Sequence, residues 1–147
     1  MIFNKIALAS DHAGYKMKVM LKTYLSEKGV ETVDFGTYSA ESVDYPDYAH
    51  PMAAAVGSGV CEAGIAICGS GNGINMTVNK HREIRAALCW MPEIAHLARA
   101  HNNANILSLP GRFITDEVAK KTVDLFLSTP FDGGRHTVRI NKIAQYQ

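Results

Sequence analysis

The sequence predicts an α/β protein with three α/β/α layers around a five-stranded, parallel, Rossmann-like sheet. Three observations predict it. Short apolar runs alternate with segments of helical period, the central run Gly64–Cys68 is apolar throughout, and glycine-bearing polar loops follow two of the runs. Alternating strands and helices favour a parallel sheet with helices on both faces, where a central strand is apolar at every position. The length of 147 residues suits a single domain, residues 1–147.

The first half of the chain supplies three strands and two helices. Lys5–Ser10 is an apolar run that stops at a polar loop. Tyr15–Lys28 has apolar residues at helical spacing and is followed by a glycine, a common residue just after a helix. Val30–Phe35 is predicted as the second strand. After a polar loop, Asp47–Val56 is predicted as a helix, and Gly64–Cys68 is the third strand.

The second half continues the alternation. A helix is expected after the glycine loop, through Lys80, and Ile84–Trp90 is the fourth strand. A proline in the first turn suits the helix Pro92–Asn102. Asn105–Leu109 is the fifth strand. A further helix extends to about Ser128 from Thr115, a residue type that caps helix N-termini well.

Composition and charge exclude several classes of function. Fifteen Lys and Arg against fourteen Asp and Glu give a net charge of +1, so we expect neither a nucleic-acid nor a membrane partner. No apolar run approaches the roughly 20 residues of a membrane span, and no signal peptide is expected. Three cysteines without a CxxC pair and six scattered histidines predict neither a disulfide framework nor a metal site. Retained thiols favour the cytoplasm.

Two polar loops follow the first and third strands, Ser10–Gly14 and Cys68–Gly73. In parallel sheets, ligands bind beyond the carboxyl ends of the strands, near the point where the strand order reverses. The second loop, Gly69-Ser70-Gly71-Asn72-Gly73, could turn backbone N–H groups toward a phosphate or a reaction oxyanion. Its spacing fits neither the dinucleotide fingerprint nor the P-loop. A tight turn that merely needs glycine is the alternative.

Four further side chains are candidates for chemistry, each with a structural alternative. Cys68 lies beside a helix N-terminus, which favours thiolate, so it could be a nucleophile or a base; it could also be an inert buried thiol. Asp11 and His12 should lie next to it and could bind hydroxyls or phosphate, although Asp11 could simply cap a helix. His101 extends the apolar stripe Ile94, Leu97 and Ala98, which is more typical of a core or interface histidine.

Arginines form the last candidate group. Arg135 and Arg139 stand four residues apart around the start of a predicted helix, His136–Gln145, and so face the same way. Two guanidiniums on one face match the geometry of a phosphate. Arg112, just after the fifth strand, is a third candidate. The alternative is a solvated helix face.

Together these residues resemble the type B ribose 5-phosphate isomerases, a family that includes galactose 6-phosphate and allose 6-phosphate isomerases. The resemblance covers essentially the whole chain. It is carried by Ser10-Asp11-His12-Ala13-Gly14, Asp44-Tyr45-Pro46, Ile67-Cys68-Gly69-Ser70-Gly71-Asn72-Gly73, Asn79-Lys80, His101-Asn102 with Asn105, and Gly133-Gly134-Arg135-His136 with Arg139. One departure is Thr77-Val78, where the family usually has two alanines.

The resemblance implies an aldose–ketose isomerase that uses neither cofactor nor metal, with Cys68 as the base that moves a proton between C2 and C1. It implies that Ser70 and the amides of Gly69, Gly71, Asn72 and Gly73 stabilise the enediolate, and that His101 assists ring opening.

The substrate contacts are implied in the same way. Asp11 and Asn102 would hold sugar hydroxyls, and Tyr45 would line the sugar pocket. His12, Arg112, Arg135 and Arg139 would bind the phosphate, with His12 alternatively on the sugar. One subfamily uses a glutamate base at the position of Ile74, so here Cys68 has no rival.

Chain direction separates these residues within one subunit. A helix that starts near Pro92 runs back along the sheet and carries His101 roughly 14 Å away from the carboxyl edge. We therefore expect a homodimer with shared active sites, which could pair into a tetramer. A hexose 6-phosphate isomerase and a non-catalytic phospho-sugar binding module remain open as alternatives, and Cys68 argues against the binding module.

Overall fold

Five parallel strands form one sheet in this computed structural model, which describes residues 1–145. The last two residues of the predicted domain 1–147 lie outside the described range. The strands are β1 (Lys5–Ser10), β2 (Glu31–Asp34), β3 (Ala63–Cys68), β4 (Ala86–Leu88) and β5 (Ile106–Pro110). The helices are α1 (Tyr15–Glu27), α2 (Tyr45–Gly57), α3 (Asn72–Val78), α4 (Pro92–Asn102), α5 (Asp116–Ser128) and α6 (Arg135–Ile140).

In the strand order β2-β1-β3-β5-β4, the point where the strand order reverses lies between the parallel strands β1 and β3. Their register pairs Ser10 with Ile67, so both strands end at the same level of the sheet. Beyond the last pair, the amide of Asp11 donates to the Ile67 carbonyl over 3.2 Å. The two polar loops therefore leave the sheet side by side, at the kind of crevice where such folds bind ligands.

Helices cover both faces, and alternate residues of each strand enter different cores. Ile65 and Ile67 of β3 pack in the cluster that α1, α4 and α5 cover. Ala66 and Cys68 pack in the cluster that α2 and α3 cover. This explains why the central strand is apolar at every position: all six of its residues are buried. The predicted three-layer fold is confirmed.

Several element ends differ from the predictions. Helix α2 begins two residues early, at Tyr45, because Pro46 fits the first turn of a helix. The edge strand β4 pairs with only one neighbour and is three residues long. Helix α3 ends at Val78 rather than Lys80. Helix α6 begins at Arg135 and ends at Ile140, well before the predicted end at Gln145.

The buried face of α4 also differs from the expected apolar stripe. Leu97 is 42% exposed and His101 is half-buried, whereas Ala95, Ala98 and Arg99 face the core. The Arg99 guanidinium donates to two backbone carbonyls and lies over two aromatic rings, so its polar groups are satisfied inside the protein. The spacing of apolar residues cannot predict that a charged residue such as Arg99 is buried together with its hydrogen-bond partners.

Candidate active site

The first candidate side chains form a group at the carboxyl edge of the sheet. Cys68 is the last residue of β3 and is only 4% exposed. Its carbonyl accepts a hydrogen bond of 2.9 Å from the Gly111 amide, which ties the loop after β5 to this position. The other two thiols are poor candidates for a base. Burial raises the pKa of Cys61, and it raises the pKa of Cys89 to about 12.

The loop after Cys68 has the backbone that its glycines predict. Gly71 has a φ of 78°, in the left-handed region, and an added β-carbon there would lie 3.1 Å from the Leu109 carbonyl. The Ser70 hydroxyl accepts a hydrogen bond of 3.2 Å from the Asn72 amide at the start of α3. N–H groups in the first turn of a helix have no partner within the helix. This loop therefore presents amide donors at the carboxyl edge.

Two side chains close in on the glycine loop from other elements. A β-carbon added at Gly69 would lie 3.2 Å from Nη1 of Arg112, so the guanidinium runs alongside the loop. A β-carbon added at Gly73 would overlap the ring of Tyr45, the first residue of α2. The glycines are needed here for close approach as well as for backbone conformation. The result is an amide-rich loop with one cation and one phenol beside it.

Asp11 and His12 complete the group, as their place after β1 predicts. Oδ1 of Asp11 accepts from the amides of Ala13 (2.9 Å) and Gly14 (3.1 Å), so this carboxylate organises the turn before α1. The capping alternative is thus part of its role. Nδ1 of His12 accepts a hydrogen bond of 3.2 Å from the Val43 amide, which leaves the ring proton on Nε2.

A second group lies at the amino edge of the sheet. The carbonyl of Asn102 accepts from Arg85, the residue before β4, over 3.0 Å. The amide of Asp132 donates to the Ala100 carbonyl and brings the start of α6 against the end of α4. There the ring of His101 stacks on that of His136, with centroids 4.3 Å apart.

The electrostatics of this amino-edge group favour an anion. The pKa of His136 is lowered, first by partial desolvation and then by the nearby His101, Arg135 and Arg139. Both arginines belong to α6, which begins one residue before the predicted start, and they place two guanidiniums beside the histidine pair. An anionic group bound there would be stabilised by several positive charges.

Sequence spacing gave His136 no role, although it stands between two of the candidate arginines. The same region also brings together three possible metal ligands. Ligand atoms of His101, Asp132 and His136 lie within 4.8 Å of one another. The sequence predicted no metal site because its histidines are scattered, and His101 is 31 residues away from Asp132 in the sequence. The adjacent guanidiniums oppose a cation at this position.

The chain does not bring its two groups of candidate residues together. Helix α4 starts after the carboxyl end of β4 and ends before the amino end of β5, so it returns across the sheet. Strand β5 has five residues and separates the two edges by about 13 Å. Cys68 with its loops lies at one edge, and His101, Asn102, Arg135 and Arg139 lie at the other. This separation within one subunit is what the chain direction predicted.

Comparison with known proteins settles the family. Residues 6–143 match a family model described as Ribose/Galactose Isomerase. The chain belongs to that family. A relative within it, ribose-5-phosphate isomerase B of Escherichia coli, is 44% identical over 95% of this chain and 93% of its own length. The family predicted from the sequence is confirmed, and the chain is an isomerase.

Solved structures of the family agree with the fold. A ribose 5-phosphate isomerase of Thermotoga maritima is 57% identical, with a TM-score of 0.94 over 96% of this chain and 97% of that one. Ribose-5-phosphate isomerase B of Mycoplasma genitalium, solved with bound ribulose-5-phosphate, is 43% identical, with a TM-score of 0.92 over 97% and 95% of the two chains. Among the described residues of this isomerase, no helix is long and apolar enough to cross a bilayer.

Proposed function

We propose that this chain, as a single domain over residues 1–147, interconverts ribose 5-phosphate and ribulose 5-phosphate without a cofactor, and that Cys68 is the base. The observation that carries the proposal is the position of Cys68: its thiol stands at the entrance of an amide-rich glycine loop, in a chain of the isomerase family. The substrate is the one named for its relatives, including the M. genitalium enzyme with ribulose-5-phosphate.

The reaction moves one proton between neighbouring carbons. The Cys68 thiolate removes the proton from C2 of the open-chain aldose, and the electron pair forms the C1–C2 double bond of an enediolate. The thiol then returns the proton to C1, while the hydroxyl proton on O2 moves to O1, which leaves the carbonyl at C2. A base must lie within hydrogen-bond reach of the proton that it abstracts.

The glycine loop supplies the stabilisation that this step needs. A proton next to a carbonyl is only weakly acidic, so the developing charge on oxygen must be neutralised. The amides of Gly69, Gly71 and Gly73, with the Ser70 hydroxyl, are donors fixed in position before the reaction, which is the most effective arrangement for an oxyanion. The Asn72 amide contributes by holding the Ser70 hydroxyl in place. Asp11 and Tyr45 hold the sugar at the same edge.

The remaining roles fall on the amino-edge group of a second subunit. His101 acts as the acid in ring opening, and Asn102 holds a sugar hydroxyl. Arg135 and Arg139 bind the phosphate, together with Arg112 from the carboxyl edge, while His12 contacts the phosphate or the sugar. Because these edges are about 13 Å apart in one chain, the proposed protein is a homodimer in which each site uses both subunits. Pairs of dimers could form a tetramer.

Two further features follow from the same proposal. All three cysteines are unpaired thiols, which supports a reducing compartment, the cytoplasm. The family description also names galactose, so hexose 6-phosphates are the competing substrates. The names of the relatives favour a pentose phosphate as the substrate. Three solved structures similar to this chain are all of ribose 5-phosphate isomerases.

The test is isomerisation by the purified protein and by cysteine variants. We expect ribulose 5-phosphate to form from ribose 5-phosphate faster than a hexose ketose forms from allose or galactose 6-phosphate. Cys68→Ser should lower kcat by about 10²–10⁴-fold, the usual loss when a general base is removed. The matched controls Cys61→Ser and Cys89→Ser should keep the activity. A fully active Cys68→Ser protein would refute the assignment of the base.

A further inference from the structure

A pair of histidines lies outside the proposed active site. Nδ1 of His50, in α2, lies 2.8 Å from Nε2 of His81, in the turn after α3. The two residues are 31 positions apart, so the contact joins separate elements of the fold. His50 is exposed and His81 is half-buried. A diffusing ion can therefore reach both rings.

From this geometry we infer that His50 and His81 form a two-imidazole site for a transition-metal ion of the Ni²⁺ and Zn²⁺ class. A metal bound at about 2.1 Å from each nitrogen, with an angle of about 90–110° at the ion, holds the nitrogens about 3.0–3.4 Å apart and the ring centroids about 4.6–5.3 Å apart. The observed centroid separation is 5.0 Å. The rings need only swivel, and the nitrogens need to separate by a few tenths of an ångström.

Replacing the hydrogen bond between the two rings by two metal bonds requires no gain or loss of protons. In the neutral pair, one ring donates its N–H to the bare nitrogen of the other. For chelation, that proton moves to the second nitrogen of its own ring, which turns both facing nitrogens into ligands. Both imidazoles stay neutral, and no proton is released. Imidazole ligands select nickel, copper and zinc over magnesium and calcium.

The backbone holds both residues in place before any ion binds. His81 is fixed on both sides, because its amide donates to the Val78 carbonyl and its carbonyl accepts from the Ile84 amide. His50 is a helical residue that follows the buried Ala49 and precedes Pro51. Two fixed ligands bind an ion far more tightly than one, since the second bond forms within the same molecule. Across residues 1–145, no third His, Cys, Asp or Glu completes this pair, so water fills the remaining positions.

The test measures Ni²⁺ binding by equilibrium dialysis, in full-length protein carrying His136→Gln so that the histidine pair at the amino edge cannot contribute. Nickel is chosen because, unlike Cu²⁺, it does not oxidise the free thiols. We expect one ion per chain. His50→Gln and His81→Gln should each weaken binding by about 10²-fold, because either change removes the second intramolecular bond. Mg²⁺ should not compete.

His96→Gln is the matched control, because His96 is an exposed histidine whose Nδ1 lies 3.1 Å from a threonine hydroxyl rather than another imidazole. It should bind Ni²⁺ like the parent. At 100 times the dissociation constant, Ni²⁺ should raise the parent's Tm by about 5–10 °C. That rise should shrink to about 1–2 °C in the His50 and His81 variants, because the same Ni²⁺ concentration then only equals their dissociation constant. Unchanged binding in either of those variants, or an equal loss in His96→Gln, would overturn the inference. None of these outcomes depends on the isomerase activity.

Discussion

Mixing two inactive variants should restore activity, if each site takes residues from two subunits. The variants are Cys68→Ser, which lacks the proposed base at the carboxyl edge, and His101→Ala, which lacks the proposed acid at the amino edge. In a mixed dimer, the intact Cys68 of one chain faces the intact His101 of the other. The second site of the same dimer carries both changes. Each mixed dimer therefore regains one of its two sites.

The size of the recovery follows from statistics and from the geometry. After complete exchange at equal concentrations, half of the dimers are mixed and each has one good site, which gives about one quarter of the wild-type activity. Each parent alone should retain about 1% or less. A site within one chain would give no recovery, because every chain in the mixture carries one of the two substitutions. Such a site would also have to span the roughly 13 Å between the two ends of β5.

The assay follows ribulose 5-phosphate formation while the two purified variants exchange subunits, with exchange proven by mass spectrometry of intact dimers. The matched control mixes Cys68→Ser with Asp11→Ala. Both of these changes lie at the carboxyl edge, so no mixed dimer contains an intact site and activity should stay low. If exchange is proven and the first mixture also stays inactive, the shared site is wrong.

Two further substitutions test the phosphate site and the core. Arg135→Ala and Arg139→Ala should each raise the KM for ribose 5-phosphate by about 10–100-fold, the value of a charge-assisted hydrogen bond, without weakening the binding of unphosphorylated ribose; an unchanged KM would show them to be surface charges. Lys18 is 1% exposed and donates to Asp34 and to the Thr37 carbonyl, so Lys18→Met should lower the free energy of unfolding by about 3 kcal/mol in urea titrations. A loss below 1 kcal/mol would contradict that reasoning.

The sheet could be predicted because its determinants are local. The strand β1 has the predicted bounds, and α4 begins and ends where its proline and its polar turn indicated. Element ends were less predictable where tertiary contacts decide them. The run Ile84–Trp90 looks like a full strand, yet only Ala86–Leu88 pairs with β5 at the edge of the sheet.

The site divides in the same way. The carboxyl-edge residues could be placed together from sequence, because loops after neighbouring parallel strands leave the sheet at one edge. The hydrogen-bond and contact partners of those residues could not be predicted from the sequence. The hydrogen bond from Val43 to His12 and the approach of Arg112 to Gly69 join segments that no local pattern connects. The stacking of His136 on His101 likewise depends on how the segment before α6 folds back onto α4.

The error in α4 bears on the proposed dimer. Ile94, Leu97, Ala98 and His101 form a stripe at helical spacing, and such stripes are usually buried. Within the chain, Leu97 is 42% exposed, and Trp90, just before the helix, is 55% exposed. A histidine and large apolar side chains that the chain does not cover are typical of a surface that meets another molecule. A second subunit that covers this face would place its Cys68 near the His101 of the first subunit. That arrangement is the one that the mixing experiment tests.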